Sequence, residues 1–197
     1  MPRIAREVSP GLPMHITQRC VDKKTCFHRH FDRTLYLDWL KAYALEHGCL
    51  VHGYVLMTNH VHLLLTPIGK DSLWKTMKAL NQKYAQYYNA YYNRTGAFWQ
   101  GRYHSRIVED DAYFLCCLRY IELNPMRANM VSHPSHYVWS SYRYHALGDK
   151  DNGLLTKHIL YKELGRDDDE RQSMYAKLCN QTLSATQIEQ VCVHWRP

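Results

Sequence analysis

Hydrophobic and polar positions alternate through "MHITQRC" (14–20), the period-two pattern of a half-buried strand, before the polar loop "VDKKTCFHRHFD". Over residues 33–48, "RTLYLDWLKAYALEHG", apolar positions recur at helical spacing and Gly48 supplies a C-cap. "CLVHGYVLM" and "HVHLLLTP" read as two strands joined by a tight turn at Thr58-Asn59. A long helix is expected over 72–96, closed by Gly96, then a fourth strand from Tyr103 to Glu109 and a helix in "DAYFLCCLRYIELNP". Asp110 and Asp111 suit the positive end of that helix. Pro125 is expected to end it, because a residue before proline, here Asn124, is driven out of helical geometry. The order β-α-β-β-α-β-α predicts an α+β domain: an antiparallel sheet with helices packed on it.

Past "SHPSHYVWSSYRYH" the pattern turns polar and helical, with a capping-box spacing from Ser184 to Gln187. Residues 149–197 hold too few large apolar side chains for a core of their own, so they read as a helical C-terminal extension of a domain spanning 1–148. The length, 197 residues, suits one such domain.

Composition narrows the partners. With 46% hydrophobic and 22% charged residues the chain is expected to fold, and no apolar run approaches the ~20 residues of a membrane span. The first residues, "MPRIAREVSPGLP", lack the apolar stretch of a signal peptide, so a cytoplasmic protein with no membrane partner is expected. Seven scattered cysteines without a CxxC pair read as free thiols. The net charge of +7 favours a phosphate-bearing partner.

Two histidines interrupt the apolar strand "HVHLLLTP". Side chains alternate along a strand, so His60 and His62 share a face while Val61 and Leu63 point the other way. Either would pass alone as a polar surface residue or a hydrogen-bonded core histidine. Two on one face let both imidazoles converge on one ion. No HExxH is present, so a third ligand must come from elsewhere. On the helix before Pro125, Tyr113, Cys117, Tyr120 and Asn124 form one stripe, which offers the Asn124 carboxamide as that ligand. An N/O site of this kind suits Mg²⁺ or Mn²⁺ acting on a phosphate.

A phenol beside that ion points to covalent phosphotyrosine chemistry, since a metal polarises the phosphodiester that a weak nucleophile attacks. Of 16 tyrosines, Tyr84, Tyr87, Tyr88, Tyr91 and Tyr92 continue the helical stripe of Leu73, Met77 and Leu80, the spacing of core packing; a base-stacking platform is the alternative. Tyr113 lies almost three turns from Asn124. Tyr120 shares a face with Asn124 and is the candidate nucleophile.

The chain resembles the single-tyrosine HUH transposases, most closely the REP-associated tyrosine transposases and their insertion-sequence relatives. The resemblance covers residues 13 to 145 and rests on "MTNHVHLLLTP", "NRTGAFWQGRYHSRIVED", "RYIELNPMRANMV" and "WSSYRYH", in that order. It implies a ferredoxin-like core, a divalent metal on His60 and His62 completed at Asn124, and Tyr120 as nucleophile. The implied activity is metal-dependent nicking and strand transfer of single-stranded DNA at hairpin or palindromic sites, through a 5′-phosphotyrosine and a free 3′-OH. Relatives act as dimers or as monomers, so either a monomer or a homodimer is expected.

Arg102, Arg106, Arg119 and Arg127 surround the expected site in sequence and are candidates to hold the DNA backbone, a solvated basic face being the plainer reading of each. Trp99 and Trp139 read as buried aromatics before base-stacking ones. Cys26, His28 and His30 do not make a second metal site, for want of a further spaced ligand, and the acids of "GRDDDERQ" read as helix-start charges. Two other functions stand beside strand transfer: a hairpin-DNA-binding protein without cleavage, and a phosphohydrolase using water.

Overall fold

Four strands form one sheet in the order β2-β3-β1-β4: β1 is Met14–Arg19, β2 Cys49–Leu56, β3 His60–Pro67 and β4 His104–Ile107. Every neighbouring pair is antiparallel, which makes this the ferredoxin-like arrangement. A computed structural model describes residues 8–108 and 110–192.

Strand alternation gives the sheet two working faces. Met14, Ile16, Val61, Leu63 and Leu65 meet helices α1 (His30–His47) and α2 (Ser72–Tyr91) through Tyr36, Leu40, Met77, Leu80 and Tyr84. The other face carries His15, Thr17, His60, His62 and Leu64, and α3 (Asp111–Glu122) lies over it with Phe114, Cys117, Leu118 and Ile121 buried. Burying each large apolar side chain contributes roughly 1.5–3 kcal/mol, so both helix layers are held firmly to the sheet.

Register across β2 shifts between Val51 and Gly53, with His52 as the extra residue. The shift brings Gly53 opposite Leu64 and beneath α3, where a Cβ would stand 2.3 Å from Leu118 Cδ1. Glycine there lets α3 approach the sheet closely.

Element ends differ in places from the sequence pattern. Helix α1 begins at His30 rather than residue 33, because Asp32 accepts from the backbone N–H of Arg29 at 2.9 Å and closes a capping box. Gly48 caps it in the left-handed conformation, as expected. Helix α2 stops at Tyr91, short of Gly96, because Asn93 already turns left-handed at φ 48°. Strand β4 is shorter than residues 103–109; Glu109 lies outside the described residues. Pro125 does not push Asn124 out of helical geometry. The chain pauses at Leu123 and a short helix, α4 (Asn124–Arg127), resumes with proline in its first turn, where the missing N–H costs nothing.

The C-terminal helices do not form a core of their own. Helices α5 (Tyr142–Leu147), α6 (Ile159–Lys162), α7 (Asp168–Cys179) and α8 (Ala185–Cys192) place Tyr142, Tyr161, Tyr175 and Val191 in the same apolar cluster as α3. Asp167 caps α7 by accepting from the Glu170 N–H at 2.9 Å, and Ser184 and Gln187 form the expected reciprocal cap of α8. Trp99 packs on the first core and donates to the Asn81 carbonyl at 3.0 Å, Trp139 packs on both clusters, and Cys20, Cys26, Cys49, Cys116, Cys117 and Cys179 are buried. Among the described residues no helix is long and apolar enough to cross a membrane.

Candidate active site

Strand pairing sets the floor of the site. On the α3 side of the sheet Thr17 stands opposite His62, Arg19 opposite His60 and His15 opposite Arg106. His62 is fully buried among them. Its Nδ1 lies 2.8 Å from His15 Nε2 and 3.2 Å from Thr17 Oγ1, and the His15 and His62 rings stack with centroids 5.1 Å apart. His60 approaches His62 edge-on at 5.0 Å and engages the Asn59 side-chain oxygen through Nδ1 at 2.6 Å.

The helical layer supplies the rest. Helix α3 brings the Tyr120 ring within 5.9 Å of the His62 ring and 6.2 Å of the His15 ring, both edge-on, and Tyr120 itself is buried. One turn on, Asn124 Nδ2 sits 3.3 Å from His62 Nε2. The four candidates His60, His62, Tyr120 and Asn124 therefore meet within one chain. Tyr113, on the same stripe, is drawn away to the Gln190 carbonyl at 2.9 Å.

Electrostatically, the site is a buried cluster of neutral imidazoles with Arg19, Arg106 and Arg127 near it. Burial lowers the His60 imidazole to about 4, with the Arg19 charge adding to the effect, and lowers His15 to about 4, with Arg106 adding. His62 is pushed well below the ordinary histidine range, first by burial and then by His15, His60, Arg19 and Arg127. At neutral pH all three are uncharged and carry a ring lone pair.

Among the described residues the candidate donors for a cation are two imidazoles and a carboxamide, and no three His, Cys, Asp or Glu side chains cluster to hold one. The donor chemistry nevertheless fits a divalent ion. Both Nδ1 atoms are engaged by neighbours, so Nε2 is the nitrogen each ring would offer an ion, and the Asn124 amide reaches His62 on that side. No carboxylate belongs to the set, so it fits an ion shared with an anionic phosphodiester.

The arginines divide. Arg127 is exposed and lays its guanidinium over the Tyr120 ring at 4.6 Å, and Arg102 is exposed. Arg106 is half-buried, lies over the Tyr113 ring at 5.4 Å and donates to the Gln190 carbonyl. Arg119 departs from its expected role: it is 7% exposed and donates to the Gln181 carbonyl at 2.6 Å, so its charge braces the C-terminal segment instead of facing a DNA backbone.

Sequence reading missed His15 and Thr17. Their signal was present as two polar residues at strand spacing in "MHITQRC", matching the His60 and His62 spacing, but the register that aligns the two pairs is not local.

Comparison with known proteins bears on the whole arrangement. A solved structure of a REP-associated tyrosine transposase bound to a REP hairpin superposes with a TM-score of 0.64 at 14% identity, over 81% of this chain and 99% of that one, a likeness of fold. A crystal structure assigned to a transposase from Deinococcus radiodurans R1 aligns at 18% identity and a TM-score of 0.42, over 56% of this chain and 89% of the other. No curated protein matches. The family profile described as "Transposase IS200 like" matches residues 9–124, more than half of the sequence. Because that match covers more than half of the chain and runs from before β1 through Asn124, the chain belongs to the IS200-like transposase family.

Proposed function

We propose that the protein nicks single-stranded DNA and transfers the cut strand through a 5′-phosphotyrosine on Tyr120, with hairpin or palindromic DNA as its substrate. The observation that carries this reading is the meeting of the Tyr120 ring with His62 at 5.9 Å while Asn124 reaches His62 Nε2 from the same helical layer. His60, His62 and Asn124 would hold a divalent cation, Mg²⁺ or Mn²⁺, which when bound supplies positive charge to the scissile phosphate.

The chain's own residues do the remaining work. Helix α3 carries the Tyr120 ring to within 5.9 Å of the His62 ring, and from there Tyr120 Oη would attack phosphorus in line. The Oη–P bond forms as the P–O3′ bond breaks, and the phenolic proton ends on the departing 3′ oxygen. Bond energy is conserved in the phosphotyrosyl link, so a 3′-OH reverses the step and no nucleoside triphosphate is needed. Arg127, exposed over Tyr120, and Arg106 on the floor of the site would contact the strand's phosphates, with the exposed Arg102 a further candidate. A hairpin is the first substrate to try, because the structural neighbour of like fold is bound to one.

The test is incubation with Mn²⁺ and a labelled single-stranded oligonucleotide carrying a hairpin, followed by a denaturing gel. A protein-linked label that disappears in Tyr120→Phe supports the proposal. Binding without a covalent product makes the protein a hairpin-binding module, and metal-dependent cleavage that survives Tyr120→Phe makes it a hydrolase.

A further inference from the structure

His62 has two ring nitrogens and one proton to place between them, and only one placement serves a ligand at Nε2. Asn124 presents its amide nitrogen to His62 Nε2 at 3.3 Å. An amide N–H can only donate, so this contact calls for Nε2 as acceptor and the ring proton on Nδ1. That proton needs an acceptor in a buried site, and the nearest is His15 Nε2 at 2.8 Å, with the Thr17 hydroxyl farther off at 3.2 Å. His15 is itself buried, and its ring stacks on His62 with planes 21° apart.

We propose that His15 is a positioning residue: by accepting the His62 Nδ1–H it fixes the tautomer and ring plane of His62, leaving Nε2 as the ligand nitrogen that faces Asn124. His15 comes from β1 and His62 from β3, so the bond depends on the register that pairs Thr17 with His62. Its ring also meets the edge of Tyr120 at 6.2 Å, so one side chain steadies both the candidate ligand and the candidate nucleophile. A histidine with its second nitrogen tied to an acceptor is the usual support of an imidazole ligand, and losing such a support typically weakens metal affinity ~10–100-fold. This role rests on the proposed reading of His60, His62 and Asn124 as the ion's ligands, but the tautomer does not.

Long-range ¹H–¹⁵N correlation of the imidazoles in the metal-free full chain reads the tautomer directly. The expected result is an Nδ1–H ring for His62 and an Nε2 lone pair for His15. In His15→Leu, Mn²⁺ affinity measured by electron paramagnetic resonance should fall by about tenfold or more. His15→Gln, whose amide oxygen replaces the acceptor, should restore it to within about threefold. An Nε2–H tautomer of His62 in the wild type overturns the proposal, as does unchanged Mn²⁺ affinity in a folded His15→Leu. If the wild type makes no DNA adduct yet shows the expected tautomer, strand transfer fails while the role of His15 in orienting His62 stands.

Discussion

Arg127 covers the Tyr120 ring, its guanidinium carbon 4.6 Å from the ring centre. A cation over an aromatic face is worth about 0.5–2 kcal/mol, and Arg127 so placed holds the phenol and sets a positive charge beside the phosphate that it attacks. Arg127→Ala should slow single-turnover adduct formation about tenfold, equivalent to about 1.4 kcal/mol of barrier. Arg127→Lys should recover part of the rate, since lysine keeps the charge but not the planar stack. A loss confined to oligonucleotide affinity, measured by fluorescence anisotropy, would assign Arg127 to DNA binding alone.

Glu122 anchors the far side of α3. It is fully buried two residues after Tyr120, and its carboxylate accepts from His145 Nδ1 at 2.7 Å, from the Tyr175 hydroxyl at 2.7 Å and from the Ser141 hydroxyl. Glu122→Ala takes the carboxylate acceptor from the buried His145 and Tyr175, while Ser141 keeps the Tyr54 carbonyl at 3.3 Å, a loss of about 3–5 kcal/mol. Glu122→Gln should cost about 1–3 kcal/mol, because its NH₂ faces a donor. Urea unfolding checks both, and equal stability of Glu122→Gln and the wild type would refute this account.

Gly53 is the gap that admits α3. An added methyl would meet Leu118 Cδ1 at 2.3 Å and Ser141 Oγ at 3.3 Å, so Gly53→Ala should destabilise by about 1–3 kcal/mol through overpacking. Shortening the neighbour should relieve the clash. In a double-mutant cycle, Leu118→Ala is expected to cost less in the Gly53→Ala background than in the wild type. Additive effects would mean that α3 moves away freely.

Acid should weaken the fold in two windows. His52 is buried between the Thr156 carbonyl and the Thr66 hydroxyl, each at 2.8 Å, and burial lowers it from 6.5 to about 4. Between those values the unfolded chain binds the proton that the folded chain refuses, so stability falls as pH drops from 6.5 to 4, by about 3 kcal/mol from this residue. For Asp32 burial alone would raise the carboxyl, but hydrogen bonds from Tyr92, Tyr87 and Arg29 outweigh it and hold it at about 2. Its contribution, about 2 kcal/mol, is present above pH 3.8 and lost as pH falls from there towards 2. Urea midpoints at pH 7, 5 and 4 should decline in the wild type and decline less in His52→Gln; parallel slopes would exclude His52.

Local periods of the sequence determined which residues could share a face. Strand alternation put His60 with His62, and helical spacing put Tyr120 with Asn124, because both follow from backbone geometry a few residues long. The strand order of the core and most element types were legible in the same way and through the family resemblance. Only tertiary structure decided which faces meet. The register between β1 and β3 brought His15 and Thr17 to His62 across more than forty residues, and hydrogen-bond register is a property of two segments that neither encodes alone. Packing likewise took Arg119 out of the candidate DNA surface and merged the C-terminal helices into the core above α3. A buried charge seeks the nearest acceptor, and an apolar helix face seeks the nearest apolar surface, wherever the chain happens to return them.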